Sequence, residues 1–140
     1  MKRTATAHWK GNLKEGTGDI TVPSTILNKT NYSFKTRFDP GVVGTNPEEL
    51  VAAAHAACFT MAVSATLTQA GFSAGDLETV ATLDLDMVGL KIDGINLALT
   101  ASVIDGVSEE KFNEIANGAK AGCIVSKALS VPITLTITYK

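Results

Sequence analysis

The stretch Thr45–Gly71, TNPEELVAAAHAACFTMAVSATLTQAG, limits the folds open to this chain more than any other. Asn46 is a good helix N-cap, Pro47 suits the first helical position, and Glu49 stands three residues after Asn46 as in a capping box. Glu48 and Glu49 also complement the positive end of the helix dipole. Gly71 supplies a stop. The spacing predicts a helix of about 24 residues, roughly 36 Å long at 1.5 Å per residue. From Leu50 to Ala70 it holds no Asp, Glu, Lys or Arg. A helix apolar on all sides has to be buried on all sides. Its length would let it cross a membrane, but Ala, Ser, Thr, His55 and Gln69 leave it too weakly hydrophobic, so a core helix is expected. A chain of 140 residues buries about two thirds of its unfolded surface. It can hardly wrap such a helix while also building its own sheet. A second copy of the chain would complete the burial, so an obligate homodimer with this helix at its centre is expected.

The remaining residues supply strands. Thr4–Trp9 alternates, with Ala5, Ala7 and Trp9 on one face, and predicts a strand; Asp19–Val22 predicts a second after Gly11 and Gly16. Pro23–Asn31 is polar and predicts a loop. Tyr32–Phe38 alternates again and predicts a strand ending near Arg37. Period-two runs at Thr79–Met87 and Ile95–Ile104 predict a long hairpin joined through Gly89–Gly94. Ser108 caps a helix with Phe112, Ile115, Ala116 and Ala119 on one face, ended or bent at Gly122. A short helix over Cys123–Leu129 and a last strand after Pro132 complete an α+β plan. No repeat, linker or low-complexity segment divides residues 1–140, so a single domain is expected.

Composition narrows the function. Charged residues make up 19% and hydrophobic ones 45%, an ordinary globular balance. A net charge of −2 offers no basic stripe for nucleic acid. The start, MKRTATAHWKGN, lacks the apolar run of a signal peptide, so a cytoplasmic location is expected. There, two cysteines point to reduced, catalytic or redox-active thiols rather than a structural staple.

Cys58 lies near the middle of the apolar helix, and Cys123 sits in another Ala/Gly-bounded helical segment. A free cysteine in such a helix commonly serves as a small buried hydrophobe. Two core cysteines from different elements can also face each other, and peroxide could then oxidise one while the other condenses with it. That chemistry needs a thiolate, which an apolar interior disfavours, so a cation has to approach Cys58. Arg37 is the strongest candidate, its other reading being a solvated strand residue. Glu48 could hold Arg37 through a bidentate pair or be a helix-terminal charge alone. On a continuous helix Glu48 is roughly 15 Å from Cys58, ten residues on. Either the helix breaks or Glu48 serves the thiol of a second subunit. His55 precedes Cys58 by three and is its helical neighbour. A Cys58/His55 acyl hydrolase would need an oxyanion hole and a group to orient the imidazole, and none can be named, so His55 reads as a packing or hydrogen-bonded residue. A non-catalytic dimer holding an apolar ligand between its helices is a further alternative. His8, His55, Cys58 and Cys123 match no metal-ligand spacing, and no phosphate loop or dinucleotide fingerprint is present.

Asn46-Pro47-Glu48-Glu49-Leu50, Ala53-Ala54-His55-Ala56-Ala57-Cys58-Phe59 and Ala121-Gly122-Cys123-Ile124-Val125-Ser126 together resemble the OsmC/Ohr family. The resemblance covers essentially the whole chain, including Ala7-His8-Trp9, Thr36-Arg37-Phe38 and Gly44-Thr45. It implies an α+β fold in an intertwined homodimer, with antiparallel sheets around long central helices and two sites at the interface. It implies a thiol-dependent peroxidase acting on organic hydroperoxides, in oxidative and osmotic stress defence. On that resemblance Cys58 is the peroxidatic cysteine and Cys123 the resolving one. Arg37, in the position used by the OsmC branch, activates the thiolate, and Glu48 orients Arg37. No bound cofactor is implied. An external dithiol, such as a lipoylated protein, would reduce the disulfide; neither nucleic acid nor membrane is an expected partner.

Overall fold

Polar and apolar residues alternating near the start of the chain form β1 (Thr6–Lys10), which pairs antiparallel with β2 (Thr17–Thr21). β2 pairs antiparallel with β3 (Thr30–Tyr32), giving a sheet of order β1-β2-β3. Gly18 is needed in β2 because a Cβ there would stand 2.4 Å from the Tyr32 ring. With that space open, the Tyr32 hydroxyl crosses β2 and donates to the His8 carbonyl at 3.0 Å. The chain, described over residues 1–140 in this computed structural model, forms two compact units, Met1–Leu50 and Val51–Lys140. The β1-β2-β3 sheet belongs to the first.

The strand expected over Tyr32–Phe38 ends at Tyr32. Phe34–Phe38 forms a short helix, α1. Ser33 is its N-cap: the Ser33 hydroxyl accepts from the Thr36 N–H at 3.1 Å, and the Ser33 N–H donates to Thr36 Oγ1 at 2.8 Å. That reciprocal pair satisfies two donors at once and favours the helical turn. Phe34 and Phe38, one turn apart, meet edge to face with centroids 4.8 Å apart. Residues 39–46 then return to β3, where the Thr45 N–H donates to the Asn31 carbonyl at 2.9 Å. Thr36 is buried and gives its hydroxyl hydrogen to the Thr45 carbonyl at 2.8 Å. Gly44 carries φ +152, and a Cβ there would lie 2.7 Å from the Asn31 carbonyl oxygen.

The long helix α2 (Pro47–Gln69) begins as predicted, with Asn46 Oδ1 accepting from the Glu49 N–H at 2.8 Å. It is unbroken over its 23 residues and carries two glutamates in its first turn. By length and composition it could cross a membrane. Within the second unit, however, His55, Phe59, Val63 and Leu67 are buried in a stripe at intervals of four. Burying an apolar side chain of this size is worth about 1.5–3 kcal/mol. The burial expected all round the helix is reached on that stripe alone, because the second unit has only one sheet to lay against it. Ala54, Ala57, Met61 and Ala65 stay exposed, Met61 by 73%.

In the second unit β4 (Leu77–Asp86) and β5 (Lys91–Ala101) form the long hairpin. Its turn is tighter than the glycines suggested: Met87–Leu90 joins the strands, Gly94 lies inside β5, and the register shifts between Asp84 and Leu85. α3 (Glu109–Gly122) follows, capped by Ser108, with the predicted face of Phe112, Ile115, Ala116 and Ala119 buried. α4 (Ile124–Ala128) follows Cys123, and β6 (Ile133–Tyr139) closes the order β4-β5-β6. β6 runs parallel to β5, so this sheet is mixed where the resemblance implied antiparallel sheets. The intervening helices are the long crossover that a parallel neighbour requires. Ile95, Leu97 and Leu99 of β5 join Phe59, Val63 and Leu67 in the core. Phe112 stacks on Tyr139 with centroids 4.3 Å apart.

Candidate active site

The predicted site residues fall into two groups, one in each unit. Cys58 and Cys123 form the first. Cys58 rides on α2, one residue before the buried Phe59, and is itself half-buried. Cys123 is the joint between α3 and α4. Its N–H ends α3 by donating to the Ala119 carbonyl at 2.8 Å, and its sulfur caps α4 by accepting from the Ser126 N–H at 3.5 Å. The two sulfurs lie 3.3 Å apart, in hydrogen-bonding contact, and both thiols are free. Burial pushes the Cys123 thiol up, but hydrogen bonding with the Ser126 side chain and N–H, with Cys58 and with the Val125 backbone outweighs it. The Cys123 thiol is therefore held below its ordinary 9.0.

His55 is 0% exposed and does not turn to Cys58. Its Nε2 is 2.8 Å from Ser126 Oγ, and its Nδ1 has no partner. Burial lowers its pKa from 6.5 and keeps the imidazole neutral. A Cys58/His55 hydrolase would need that ring on the sulfur, and a Ser126/His55 dyad would need an acceptor at Nδ1 to orient it. Neither condition is met. The reading of His55 as a hydrogen-bonded residue fits this placement. Ser126 escaped the sequence reading although it stands in the quoted Cys123 motif; its offset of three from Cys123, matching His55 from Cys58, was the available signal.

Arg37 and Glu48 form the second group, within the first unit. α1 presents Arg37, and the first turn of α2 presents Glu48. Arg37 Nε donates to Glu48 Oε1 at 2.9 Å, and Nη2 donates to the same oxygen. The pair is thus two donors on one oxygen rather than the parallel fork expected of a bidentate pair, and Glu48 Oε2 is buried without a partner. Burial raises the Glu48 carboxyl, but hydrogen bonds from Arg37 and from its own backbone, together with the guanidinium charge, carry it below 4.5. Arg37 remains 41% exposed at its side chain.

A cavity of about 310 Å³ opens beside Arg37, lined also by Trp9, Leu13, Tyr32, Phe34 and Pro47. The aromatic walls are held in place: Trp9 Nε1 donates to the Gly11 carbonyl at 3.0 Å, and the Trp9 and Tyr32 rings meet at 5.6 Å. A guanidinium over a mostly apolar pocket, with Ser33 also in its wall, suits a small molecule with an apolar body and a polar end. The sequence reading placed these aromatics on strand faces without assigning them a site. No group of three or more His, Cys, Asp or Glu gathers as a metal site.

Residues 39–138 match the family described as OsmC-like protein. Over 135 residues the chain is 44% identical to peroxiredoxin OsmC of Escherichia coli (strain K12), covering 96% of this chain and 94% of that protein. It bears the same identity and coverage to peroxiredoxin OsmC of Shigella flexneri. Its fold is similar to the crystal structure of the organic hydroperoxide resistance protein OhrB of Bacillus subtilis, with TM-score 0.68, 27% identity and 98% of each chain covered. The OsmC-like protein of Mycoplasma pneumoniae shares the fold with TM-score 0.76 at 16% identity, over 99% of this chain and 97% of that one.

Proposed function

This chain belongs to the OsmC family, and from that membership and its facing thiols we propose that it is a thiol-dependent peroxidase reducing organic hydroperoxides to alcohols. The observation that carries the reading is the 3.3 Å separation of Cys58 and Cys123. The names of the related peroxiredoxins and of the Bacillus hydroperoxide resistance protein support it.

The Cys58 thiolate attacks the terminal oxygen of the hydroperoxide. A sulfur–oxygen bond forms, the oxygen–oxygen bond breaks, and the alkoxide leaves as the alcohol after taking a proton. Cys58 is now a sulfenic acid, oxidised by two electrons. Cys123 attacks that sulfur, hydroxide leaves and takes the Cys123 proton as water, and the Cys58–Cys123 disulfide closes. An external dithiol, for instance a lipoylated protein, restores both thiols by two exchanges and becomes the disulfide itself. No bound cofactor takes part.

Arg37 stabilises the Cys58 thiolate and the departing oxygen, and Glu48 holds Arg37. Because α2 is unbroken from Pro47 to Gln69, its Glu48 and Cys58 are roughly 15 Å apart along the axis. We therefore place Arg37 and Glu48 of one copy beside Cys58 of a second, in a homodimer. The exposed apolar line of Ala54, Ala57, Met61 and Ala65 supports that assembly. The aromatic cavity beside Arg37 favours alkyl and aryl hydroperoxides over hydrogen peroxide.

The test is consumption of cumene hydroperoxide and hydrogen peroxide by the reduced protein with dithiothreitol, followed by intact mass. Faster loss of the organic peroxide and a loss of two hydrogens per chain are expected. Cys58→Ser should abolish turnover, and Cys123→Ser should react once per site and then gain further oxygen. Normal turnover by Cys58→Ser would overturn the reading.

A further inference from the structure

The stripe that α2 buries is Phe59, Val63, Leu67 and, one turn before them, His55. An imidazole is the polar exception in that stripe, and its Nδ1 goes unpartnered there. Its Nε2 contact is specific: Ser126 Oγ at 2.8 Å, across from α2 to α4. Cys58 follows His55 by three residues on α2, and Cys123 precedes Ser126 by three at the start of α4. The two elements therefore meet at two rungs, His55–Ser126 and Cys58–Cys123. The rungs are joined on the α4 side, where the Ser126 N–H donates to Cys123 Sγ at 3.5 Å.

α4 packs Val125 against the core, and the Ser126 contact adds a polar tie to α2. It has five residues and buries no side chain fully. For the disulfide to form, the sulfurs have to close from 3.3 Å to about 2.05 Å. An element that can drift by more than that closing distance would spend much of its time with Cys123 out of line. We propose that His55 is a positioning residue for the second thiol: by bonding Ser126 it holds Cys123 against Cys58 and sets how readily the two sulfurs join. Resting on the peroxidase reading, this implies that His55 governs whether the Cys58 sulfenic acid closes to disulfide or takes up more oxygen. In the closing step Cys123 sulfur bonds Cys58 sulfur, the sulfur–oxygen bond breaks, and the oxygen leaves as water with the Cys123 proton. His55 touches none of the reacting atoms.

The experiment compares wild type with His55→Phe, which fills the space without a hydrogen bond, His55→Gln, whose amide can still reach Ser126, and Ser126→Ala. Two readouts are taken on the full chain. In the first, the thiol–disulfide equilibrium with dithiothreitol is measured without peroxide. His55→Phe and Ser126→Ala should weaken the disulfide about tenfold, or about 30 mV, and His55→Gln should recover most of the loss. In the second, one equivalent of cumene hydroperoxide is added and masses are followed over time. The first oxidation should keep its wild-type rate in the two disrupted variants, while the sulfenic acid persists longer and gains a further oxygen. Wild-type equilibria in both disrupted variants would overturn the proposal, as would a His55→Gln variant as impaired as His55→Phe. Should His55→Phe not fold, His55→Leu takes its place, with Ser126→Ala as the second disrupted variant. Wild-type thiols untouched by peroxide would overturn the peroxidase reading instead, and the dithiothreitol equilibrium would still decide the positioning.

Discussion

At the scale of single residues, the site is governed by where hydrogen bonds are spent. Arg37 gives two donors to one oxygen of Glu48, so the remainder of the guanidinium is not committed to the carboxylate. His55 is kept neutral by burial, which makes its protonation a cost to the folded state. Its pKa in the fold lies below its ordinary 6.5, so the unfolded chain binds the proton first on acidification. The contribution is full above 6.5 and is lost progressively as the pH falls below it. Urea denaturation at pH 7.5 and 5.5 should show a stability loss in wild type that is smaller in His55→Gln; equal losses would assign it elsewhere. Cys58, Cys123, Arg37 and Glu48 were singled out through the family motifs, and the fold brings them together as two pairs, Cys58 with Cys123 and Arg37 with Glu48. The pairing of His55 with Ser126, 71 residues apart, went unread, its one signal being their matching offsets of three from Cys58 and Cys123.

Elements were legible wherever one period ruled out the other. α2 announces itself by Asn46, Pro47 and an uncharged run too long for a strand, and the face of α3 by its spacing of three and four. Phe34 and Phe38 are the instructive failure. Four residues apart, they share a face in a strand and in a helix alike, so alternation alone could not decide. The deciding pair was Ser33 and Thr36, whose mutual bonds close the first turn of α1. Ser33→Ala should therefore cost about 1 kcal/mol in chemical denaturation and loosen the helix that carries Arg37. A stability unchanged within experimental error would deny the cap that role. The direction of β6 was likewise open to inference, since two helices separate it from β5 and leave room for a parallel return.

At the scale of the whole molecule, the same helix that organises the second unit leaves Met61 73% exposed within a line of alanines. A homodimer should appear in analytical ultracentrifugation at micromolar concentration, and Met61→Glu should shift it toward monomer by placing a charge on the buried seam. A wild-type monomer would remove the assembly and with it the placement of Arg37 beside the other copy's thiol. Fold class and family were readable from residues alone; the residues also predict that a second copy covers the helix, and the ultracentrifuge tests that.

Cys58 and Cys123 stand 65 residues apart in the chain. A bond between them would lock nearly half the polypeptide into a ring, which restricts the unfolded chain by on the order of 4 kcal/mol. The spent catalyst should then be the hardier one, melting roughly 10 °C above the reduced form and resisting proteases longer. Differential scanning calorimetry with and without reductant checks this. In the proposed cycle, molecules awaiting a reductant would then outlast those ready to work.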